Sequence, residues 1–387
     1  MKILITSDWY SPAVNGVVTS VKNLRRGLEE RGHEVRILTL SQTTRSWEQD
    51  GVTYIGSVAA GLVYPGARLR TALGGKYIRE LVDWRPDVVH SQCEFSTFFL
   101  ARRIAEELNI PLVHTYHTVY EDYTHYFSPS VRFGKKAVAV FSRWAAAQTD
   151  CVIVPTGKVR LLLHDYGVEQ PVFVVPSGID LSRFSREPDP WRMAVLRASL
   201  NIPQENLVLV SVGRLAEEKN VDELLRLRAE MGNVPVTLLL VGDGPDRIRL
   251  EGATAGLGLE APDVVFAGMV PAEQVADWYQ LGALFVSAST SETQGLTYIE
   301  AAANGLPLVC REDPCLDGVI AQGENGFTYT SPDEFLDEMD RVLEDPDWCV
   351  CAGQKSEEIA SRYGKEQFAQ NIEAVYEAAI RAEEKED

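Results

Sequence analysis

The sequence has no long uncharged apolar run, so it contains no candidate for a helix of the roughly 18 to 20 apolar residues that crosses a bilayer. Residues 1–6 have the apolar pattern of a strand, and they lack the long apolar core and small-residue cleavage site of a secretory signal. We therefore expect a cytoplasmic protein.

Cysteine and basic residues are also scarce. None of the six cysteines forms a C-x-x-C pair or lies beside a spaced histidine pair, so we expect reduced thiols and neither a zinc site nor a disulfide framework. The chain has 37 Lys and Arg against 56 Asp and Glu, a net charge of -19. General nucleic-acid binding is not expected, because phosphate contacts need clustered cations.

Short apolar runs alternate with amphipathic stretches along most of the 387 residues, which is typical of repeated βα units. The pattern predicts an α/β protein of two doubly wound domains, residues 1–180 and 181–364, with a ligand cleft between their facing sheet edges. The boundary is placed near the Pro-containing residues 187–190. The predicted strands are 2–6, 35–40, 52–55, 87–90, 112–115, 151–154, 207–212, 236–241, 264–266, 283–287 and 308–310.

Residues 291–300 follow a predicted buried strand and lead into a short predicted helix at about 297–304. Glu292 therefore lies in a loop at the carboxyl end of a strand, where ligands bind in open α/β sheets. Glu300 is expected in the first helical turn, near backbone N–H groups that suit a phosphate. The alternative is that Thr297 and Glu300 form a capping box, which needs no ligand.

Three glycine-containing turns occupy similar positions. Arg214 and Lys219 follow Gly213 at a strand end, where two cations suit a departing diphosphate; the alternative is surface pairing with Glu217 and Glu218. Gly16 opens the first predicted helix, which suits an anion but is equally an ordinary βα turn. The third turn is residues 242–244.

Residues 114–127 hold three of the six histidines and four tyrosines. These side chains combine a flat apolar surface with a polar tip, which suits a carbohydrate or a polar headgroup. A wet aromatic loop is the alternative, and no spaced ligand pair favours a metal. At the neighbouring strand end, Glu94 is a candidate to bind a hydroxyl or to cap the next helix. The acceptor-side candidates are Glu94, Tyr120, Tyr123 and His125.

Basic and aromatic residues occur together in two predicted helical regions of the first half. On an acidic protein they indicate contact with an anionic membrane surface, although a solvated helix face explains them equally well. The first set is Arg68, Arg70, Lys76 and Arg79; the second is Arg132, Lys135, Lys136 and Arg143 with Phe133, Phe141 and Trp144.

The spacing of Glu292 and Glu300 resembles the E-x7-E motif of retaining glycosyltransferases of family 4, which have the GT-B fold of two Rossmann-like domains. Four further elements match that family in order: residues 15–17, His117, the Arg214 and Lys219 pair, and residues 242–244. The tract 114–127, together with 291–300 and 317–320, is similar more particularly to the bacterial diacylglycerol glucosyltransferases.

The resemblance implies a role for each matching residue. Arg214 and Lys219 would hold the donor diphosphate, Glu292 the transferred sugar and Glu300 the ribose, and His117 would touch the donor sugar at the reacting face. The catalytic set is then His117, Arg214, Lys219 and Glu292. The donor-binding set is Gly16, Gly213, Met269, Val270, Gly295, Leu296, Thr297 and Glu300, in which Met269 and Val270 edge the nucleobase. In the family, the last helix (365–387) packs on the first domain.

The activity implied is retaining transfer of glucose from UDP-glucose to diacylglycerol, with no metal or other cofactor, by an enzyme peripheral to the inner face of the membrane. A double displacement through Glu292 or Glu94 stays open. The alternatives are another donor such as GDP-mannose, another acceptor (phosphatidylinositol, a sulfolipid precursor or a soluble sugar), a nucleotide-sugar epimerase, and a non-catalytic nucleotide-sugar binder.

Overall fold

The structure, a computed structural model, describes residues 1–13, 15–60, 68–71, 75–121, 131–185 and 188–384. The chain divides into two compact units. The first contains Met1–Ile179 and Lys365–Asp387, and the second contains Asp180–Gly364. These divisions lie beside the boundaries expected at 180/181 and 364/365.

The first unit is built around an eight-stranded sheet and a separate antiparallel pair of strands. Its strands are β1 (Lys2–Ser7), β2 (Glu34–Leu40), β3 (Trp47–Gln49), β4 (Val52–Ile55), β5 (Ser57–Ala59), β6 (Arg68–Arg70), β7 (Val88–Ser91), β8 (Leu112–Thr115), β9 (Cys151–Val154) and β10 (Val172–Val174). The order in the large sheet is β10-β9-β8-β7-β1-β2-β4-β3, parallel except for β3. Its helices are α1 (Gly16–Glu30), α2 (Gly75–Trp84), α3 (Ser96–Leu108), α4 (Val131–Ala146), α5 (Gly157–Asp165) and the last helix (Lys365–Glu383).

The second unit contains a six-stranded, fully parallel sheet in the order β13-β12-β11-β14-β15-β16. Its strands are β11 (Leu207–Val212), β12 (Val236–Val241), β13 (Val264–Gly268), β14 (Leu284–Ser287), β15 (Leu308–Arg311) and β16 (Gly326–Tyr329). Its helices are α6 (Pro190–Ser199), α7 (Val221–Glu230), α8 (Arg247–Gly256), α9 (Val275–Tyr279), α10 (Leu296–Ala303), α11 (Pro332–Glu344) and α12 (Pro346–Ala360).

Both sheets are covered by helices on their two faces, and this explains the continuous apolar runs of their central strands. Every residue of β12 is buried, as is every residue of β7, β8, β9 and β14. Strands buried on both faces cannot alternate apolar with polar residues, so they show the runs that identified them in the sequence.

The last helix packs on α1 in the first unit. Gly27 of α1 allows this approach, because a Cβ at that position would lie 2.8 Å from both the Ala369 Cβ and the Lys365 carbonyl oxygen. Lys365 also forms an ion pair with Glu30 at 2.6 Å. Residues of the last helix, Tyr376 among them, therefore belong to the same core as β1 and α1.

Each sheet has one point where the strand order reverses direction. It lies between β1 and β7 in the first unit and between β11 and β14 in the second. Crossovers leave a crevice beyond the carboxyl ends of the strands at such points, and ligands bind there in open α/β sheets.

Candidate active site

In the second unit, Arg214 and Glu292 lie in the segments that follow the two strands flanking the reversal point. Arg214 follows β11, Glu292 follows β14, and the two strands are hydrogen-bonded neighbours. Lys219 ends a short 3-10 turn, Glu217–Lys219, just before α7. The structure thus brings residues from two separate sequence segments to one sheet edge.

Lys219 and Glu292 form a direct ion pair. The Lys219 Nζ lies 2.5 Å from the Glu292 Oε1, and the two side chains are 24% and 17% exposed. The Ser291 hydroxyl donates to the Glu218 carbonyl oxygen at 2.9 Å and so ties the two loops together. Lys219 is therefore paired with Glu292, and not with Glu217 or Glu218 as the alternative interpretation required.

The capping box that was the alternative interpretation of Thr297 and Glu300 is absent. α10 begins after Gly295, which has a φ of 71° and no capping side chain, and Glu300 lies in the second turn of the helix. Its Oε2 accepts a hydrogen bond from the Tyr279 hydroxyl at 2.9 Å. Burial raises the pKa of Glu300 to about 7, although the Tyr279 bond and the charge of Arg183 act in the opposite direction.

Gly295 is required by packing. A Cβ on it would lie 2.3 Å from a ring carbon of Tyr298, and its positive φ disfavours any other residue. Tyr298 is buried, and its hydroxyl lies 3.2 Å from that of Ser287 at the end of β14. The tyrosine thereby fixes the start of α10, where the first backbone N–H groups have no partner within the helix. Leu296 and Thr297 supply two of these groups.

The turn at residues 242–244 has a structural role independent of any ligand. A Cβ on Gly242 would lie 1.9 Å from the Gly213 carbonyl oxygen, and one on Gly244 would lie 2.1 Å from that of Leu215. These glycines let the loop after β12 pack on the loop that carries Arg214. A Cβ on Gly213 itself would meet nothing within 4 Å.

Met269 and Val270 follow β13. Met269 is 73% exposed, and Val270 is partly exposed. Their assignment to the nucleobase stays a prediction.

In the first unit, Glu94 is the centre of a buried cluster beyond β7. Its Oε1 lies 3.2 Å from the His114 Nε2, and its Oε2 accepts a 2.5 Å hydrogen bond from the Tyr120 hydroxyl. Burial, followed by the charge of Glu94, holds the pKa of Tyr120 well above its usual value, so Tyr120 remains a phenol and a donor.

The alternative interpretation, in which Glu94 caps α3, is wrong. The Asp8 carboxylate accepts from the backbone N–H groups of Ser96 and Thr97 at 2.9 and 2.6 Å. Burial raises the pKa of Asp8 despite these bonds. Glu94 is thereby left with His114 and Tyr120 as its side-chain partners among the described contacts.

His117 follows β8, and its Nε2 lies 2.6 Å from the Gln92 Oε1. Burial lowers the pKa of His117 to about 4, and the charge of Glu94 only partly opposes this. The imidazole is therefore neutral at ordinary pH. Of the other acceptor-side candidates, Tyr123 and His125 lie outside the described residues.

Gly16 is exposed and begins α1, where the Asn15 side chain accepts from the backbone N–H of Val18 at 2.9 Å. The turn is thus a capped helix start, as an ordinary βα turn would be, and a role of Gly16 in donor binding stays a prediction.

Comparison with known proteins identifies the family. Residues 14–183 match the family model Glycosyltransferase Family 4, and residues 193–367 match Glycosyl transferases group 1. A Streptococcus pneumoniae protein called alpha-monoglucosyldiacylglycerol synthase is 35% identical over 333 residues, which cover 85% of this chain and 75% of that one. An Acholeplasma laidlawii protein of the same name is 32% identical over 386 residues, 97% of this chain and 96% of its own.

The chain belongs to glycosyltransferase family 4. The solved structure of Anabaena HepE with UDP-glucose matches this glycosyltransferase with a TM-score of 0.75 at 18% identity, covering 98% of this chain and 100% of that one. Neighbours of this kind are GT-B glycosyltransferases, so the predicted fold class is confirmed.

The basic residues of the glycosyltransferase require one correction. Arg68 and Arg70 were expected in a helix but lie in β6, which pairs with β5. The Arg68 guanidinium donates to the Gln42 carbonyl oxygen at 2.8 Å and to the Ser57 hydroxyl at 2.7 Å. It therefore joins β5 to the loop after β2 and is not displayed on a helix face. Lys76 and Arg79 do lie in a helix, α2.

The second basic and aromatic set is helical and exposed. On α4, Phe133, Val140 and Trp144 are 71%, 58% and 38% exposed. Rings of α4 and of the chain at the start of α3 contact each other, as Phe95 and Phe141 do with centroids 5.7 Å apart. We call the exposed face formed by Phe133, Lys136, Ala137, Val140, Phe141 and Trp144 the α4 surface. Across the described part of the chain, no helix is both long and apolar enough to cross a membrane.

Several residues at the two sheet edges were missed in the sequence. Tyr279 holds Glu300 from a different helix, Gln92 holds His117 from a different strand, and Asp8 caps α3 from the end of β1. Each acts at long range and belongs to no local motif, so no spacing in the sequence indicates it. Among the described residues, no group of three or more His, Cys, Asp or Glu is arranged to hold a metal ion.

Proposed function

We propose that this glycosyltransferase transfers glucose from UDP-glucose to diacylglycerol at the inner membrane surface, with retention of the anomeric configuration. The observation that carries the proposal is the similarity, at 35% and 32% identity over most of the chain, to two proteins called alpha-monoglucosyldiacylglycerol synthase. A solved neighbour of the same fold holds UDP-glucose.

The second unit would bind the donor. Negative charge develops on the departing diphosphate, and Lys219, Arg214 and the backbone N–H groups of the first turn of α10 are suited to stabilise it. Because these groups are fixed by the protein, no metal ion is required in this scheme. Glu292 would bind the transferred glucose and Glu300 the ribose.

The ion pair between Lys219 and Glu292 suggests how donor binding is coupled to the sugar site. The two side chains neutralise each other at 2.5 Å. A diphosphate is a more highly charged partner for Lys219, and its arrival would leave the Glu292 carboxylate available to sugar hydroxyls.

The surroundings of the carboxylates favour direct attack over a double displacement. Both oxygens of Glu94 are engaged, by His114 and Tyr120, inside a site where Glu94 is 3% exposed. Once the donor has displaced it from Lys219, Glu292 would be occupied by hydroxyl groups of the transferred glucose. We propose that the acceptor hydroxyl attacks on the face from which the diphosphate leaves.

The α4 surface would bring the enzyme to its acceptor. α4 contains the four cations Arg132, Lys135, Lys136 and Arg143 and no acidic residue, on a chain whose net charge is -19. Apolar side chains flanked by cations suit insertion among anionic lipid headgroups. We therefore propose that the α4 surface binds an anionic membrane.

A transfer assay with labelled UDP-glucose tests the activity. We expect labelled glycolipid only when diacylglycerol vesicles are present, and proton couplings of the product should show an α-linked glucose. Parallel reactions with GDP-mannose, phosphatidylinositol, a sulfolipid precursor and soluble sugars test the other donors and acceptors.

The same assay separates the remaining alternatives. Conversion of the label into a different sugar nucleotide would indicate an epimerase. Binding of UDP-glucose without turnover on any acceptor would indicate a non-catalytic binder and would overturn the proposal.

A further inference from the structure

The predicted catalytic histidine is held by a chain of buried polar groups within the first unit. The His117 Nε2 lies 2.6 Å from the Gln92 Oε1, and the Gln92 Nε2 lies 3.0 Å from the His90 Nε2. A carboxamide donates through its nitrogen and accepts through its oxygen. Gln92 therefore accepts from the N–H of His117 and donates to His90.

The chain continues from His90 into the last helix. The His90 Nε2 also lies 2.7 Å from the Thr115 Oγ1, and its Nδ1 lies 2.7 Å from the Tyr376 hydroxyl oxygen. Because the Nε2 of His90 accepts from Gln92, a neutral His90 carries its hydrogen on Nδ1 and donates to Tyr376. Burial holds the pKa of His90 well below its ordinary value, which keeps the ring neutral.

Every inner member of this chain is excluded from water. His90 and Tyr376 are both 0% exposed, and Gln92 is 2% exposed. A buried donor that faces a donor loses a hydrogen bond and its solvation together, so the orientations of the three groups must change in concert. The ring of His117 is the end of the chain that is only partly buried.

We propose that Tyr376 is a positioning residue for His117: acting through His90 and Gln92, it holds His117 as the Nε2–H tautomer and leaves Nδ1 as the nitrogen that accepts a hydrogen bond. The role in catalysis rests on the proposed function of His117, whereas the tautomer does not. In metal sites and catalytic sites alike, the hydrogen-bond partner of one imidazole nitrogen determines whether the other nitrogen is protonated. Tyr376 and His90 are 286 positions apart, so no local pattern connects them.

Nitrogen NMR of the histidine rings tests the tautomer directly in the full-length, ligand-free protein. We expect the hydrogen of His117 on Nε2 and that of His90 on Nδ1. Finding the hydrogen of His117 on Nδ1 would overturn the proposal whatever the activity of the enzyme.

Tyr376→Phe then tests the role of the hydroxyl while keeping the ring. Without its acceptor, the His90 hydrogen should move to Nε2, the Gln92 amide should turn, and His117 should become the Nδ1–H tautomer. We expect kcat to fall about tenfold with little change in the KM for the donor, because the lost hydroxyl orients a catalytic side chain and does not bind the donor.

Tyr166→Phe is the matched control, because it removes a phenol hydroxyl from a buried tyrosine of the same unit, at the end of α5. It should leave both the ring spectra and kcat unchanged. Unmoved His117 signals in Tyr376→Phe, or moved signals with an unchanged kcat, would contradict the positioning role. If Tyr376→Phe does not fold, the spectrum of the unsubstituted chain decides the tautomer. Absence of sugar transfer by the unsubstituted chain would refute the proposed function separately.

Discussion

The two units present different kinds of site at equivalent points of their sheets. At the edge of the second unit the candidate groups are charged, and each comes from a short segment: Arg214 and Lys219 after β11, Glu292 and Glu300 after β14. At the edge of the first unit, His117 ends a neutral network of buried groups that extends to the last helix, and the Glu94 carboxylate makes a different set of contacts. A departing diphosphate needs fixed charge, whereas a sugar hydroxyl needs a neutral acceptor held in one orientation. The difference suggests that the two units have separate tasks in one reaction.

The largest expected effect tests the charged edge. Lys219→Ala and Glu292→Ala should each lower kcat by about 10²- to 10³-fold, because each removes a fixed group from a site of developing charge. Initial rates with the labelled donor, together with thermal unfolding, measure the effect and check the fold.

Lys355→Ala is the control for that pair, since Lys355 lies on α12 and is paired with Glu358 at 2.9 Å. It should retain full activity. Rates near normal in both Lys219→Ala and Glu292→Ala would show that the second unit does not supply the charged groups of the reaction.

The neutral edge is tested by His117→Ala, for which we expect a loss of about 10²-fold in kcat, as for removal of a general acid or base. His164→Ala is the control, because that ring lies on α5 and its side chain is 83% exposed. A loss confined to the KM of the donor would show that His117 binds substrate but does not act in the chemical step.

His117 should also make the free energy of unfolding depend on pH. The unfolded chain protonates the ring below its ordinary pKa of 6.5, whereas the folded protein keeps it neutral down to a pKa of about 4. The unfolded state thus binds more protons in this window, and the free energy of unfolding falls as the pH drops from 6.5 towards 4. His117→Ala should remove this part of the slope, which denaturant titrations at several pH values would detect.

The contrast between the edges also explains what the sequence could and could not predict. Residues 283–287 were identified as a strand because β14 is buried on both faces, and Glu292 followed from its position after that strand. The alternative of a capping box was wrong, because α10 begins after Gly295 and the Glu300 carboxylate accepts instead from Tyr279, 21 positions away. Arg68 and Arg70 were assigned to a helix because basic residues alone do not reveal the pairing of β6 with β5. Long-range contacts decided the two predictions that failed.

Glu300 permits a smaller test of the charged edge. Its pKa of about 7 means that it is largely protonated in the free enzyme at pH 6, when it cannot accept two ribose hydroxyls. We expect kcat/KM for the donor to rise with pH, to reach half of its maximum at about pH 7 and to level off at higher pH. Glu300→Gln should give a flat profile, about tenfold below the wild-type plateau, because a hydrogen bond to a charged group contributes on the order of 1.5–3 kcal/mol.

The stability of the protein should respond to Glu300 with the opposite sign to His117. The folded state binds the proton up to about pH 7, whereas the unfolded carboxyl loses it near 4.5. The free energy of unfolding should therefore fall as the pH rises through this range, and Glu300→Gln should remove that fall. An acid limb in kcat/KM that persists in Glu300→Gln would assign the limb to another group.

The smallest expected effect tests whether binding to lipid vesicles belongs to the α4 surface of the first unit or also to the surface of the second unit. Lys136→Gln removes one cation from the α4 surface, and a cation near an anionic bilayer contributes about 1 kcal/mol, so partition onto anionic vesicles should fall about fivefold. Phe133→Ser should weaken partition onto anionic and neutral vesicles alike, because it removes apolar area and no charge. Ile248→Ser is the control: Ile248 lies on α8 of the second unit and is 84% exposed, but it lies outside the α4 surface.

Equal losses for Phe133→Ser and Ile248→Ser would mean that exposed apolar residues bind lipid wherever they lie, and that the first unit has no dedicated membrane surface. A loss for Lys136→Gln that persists at high salt would likewise exclude an electrostatic contact with the headgroups, because screening must abolish it.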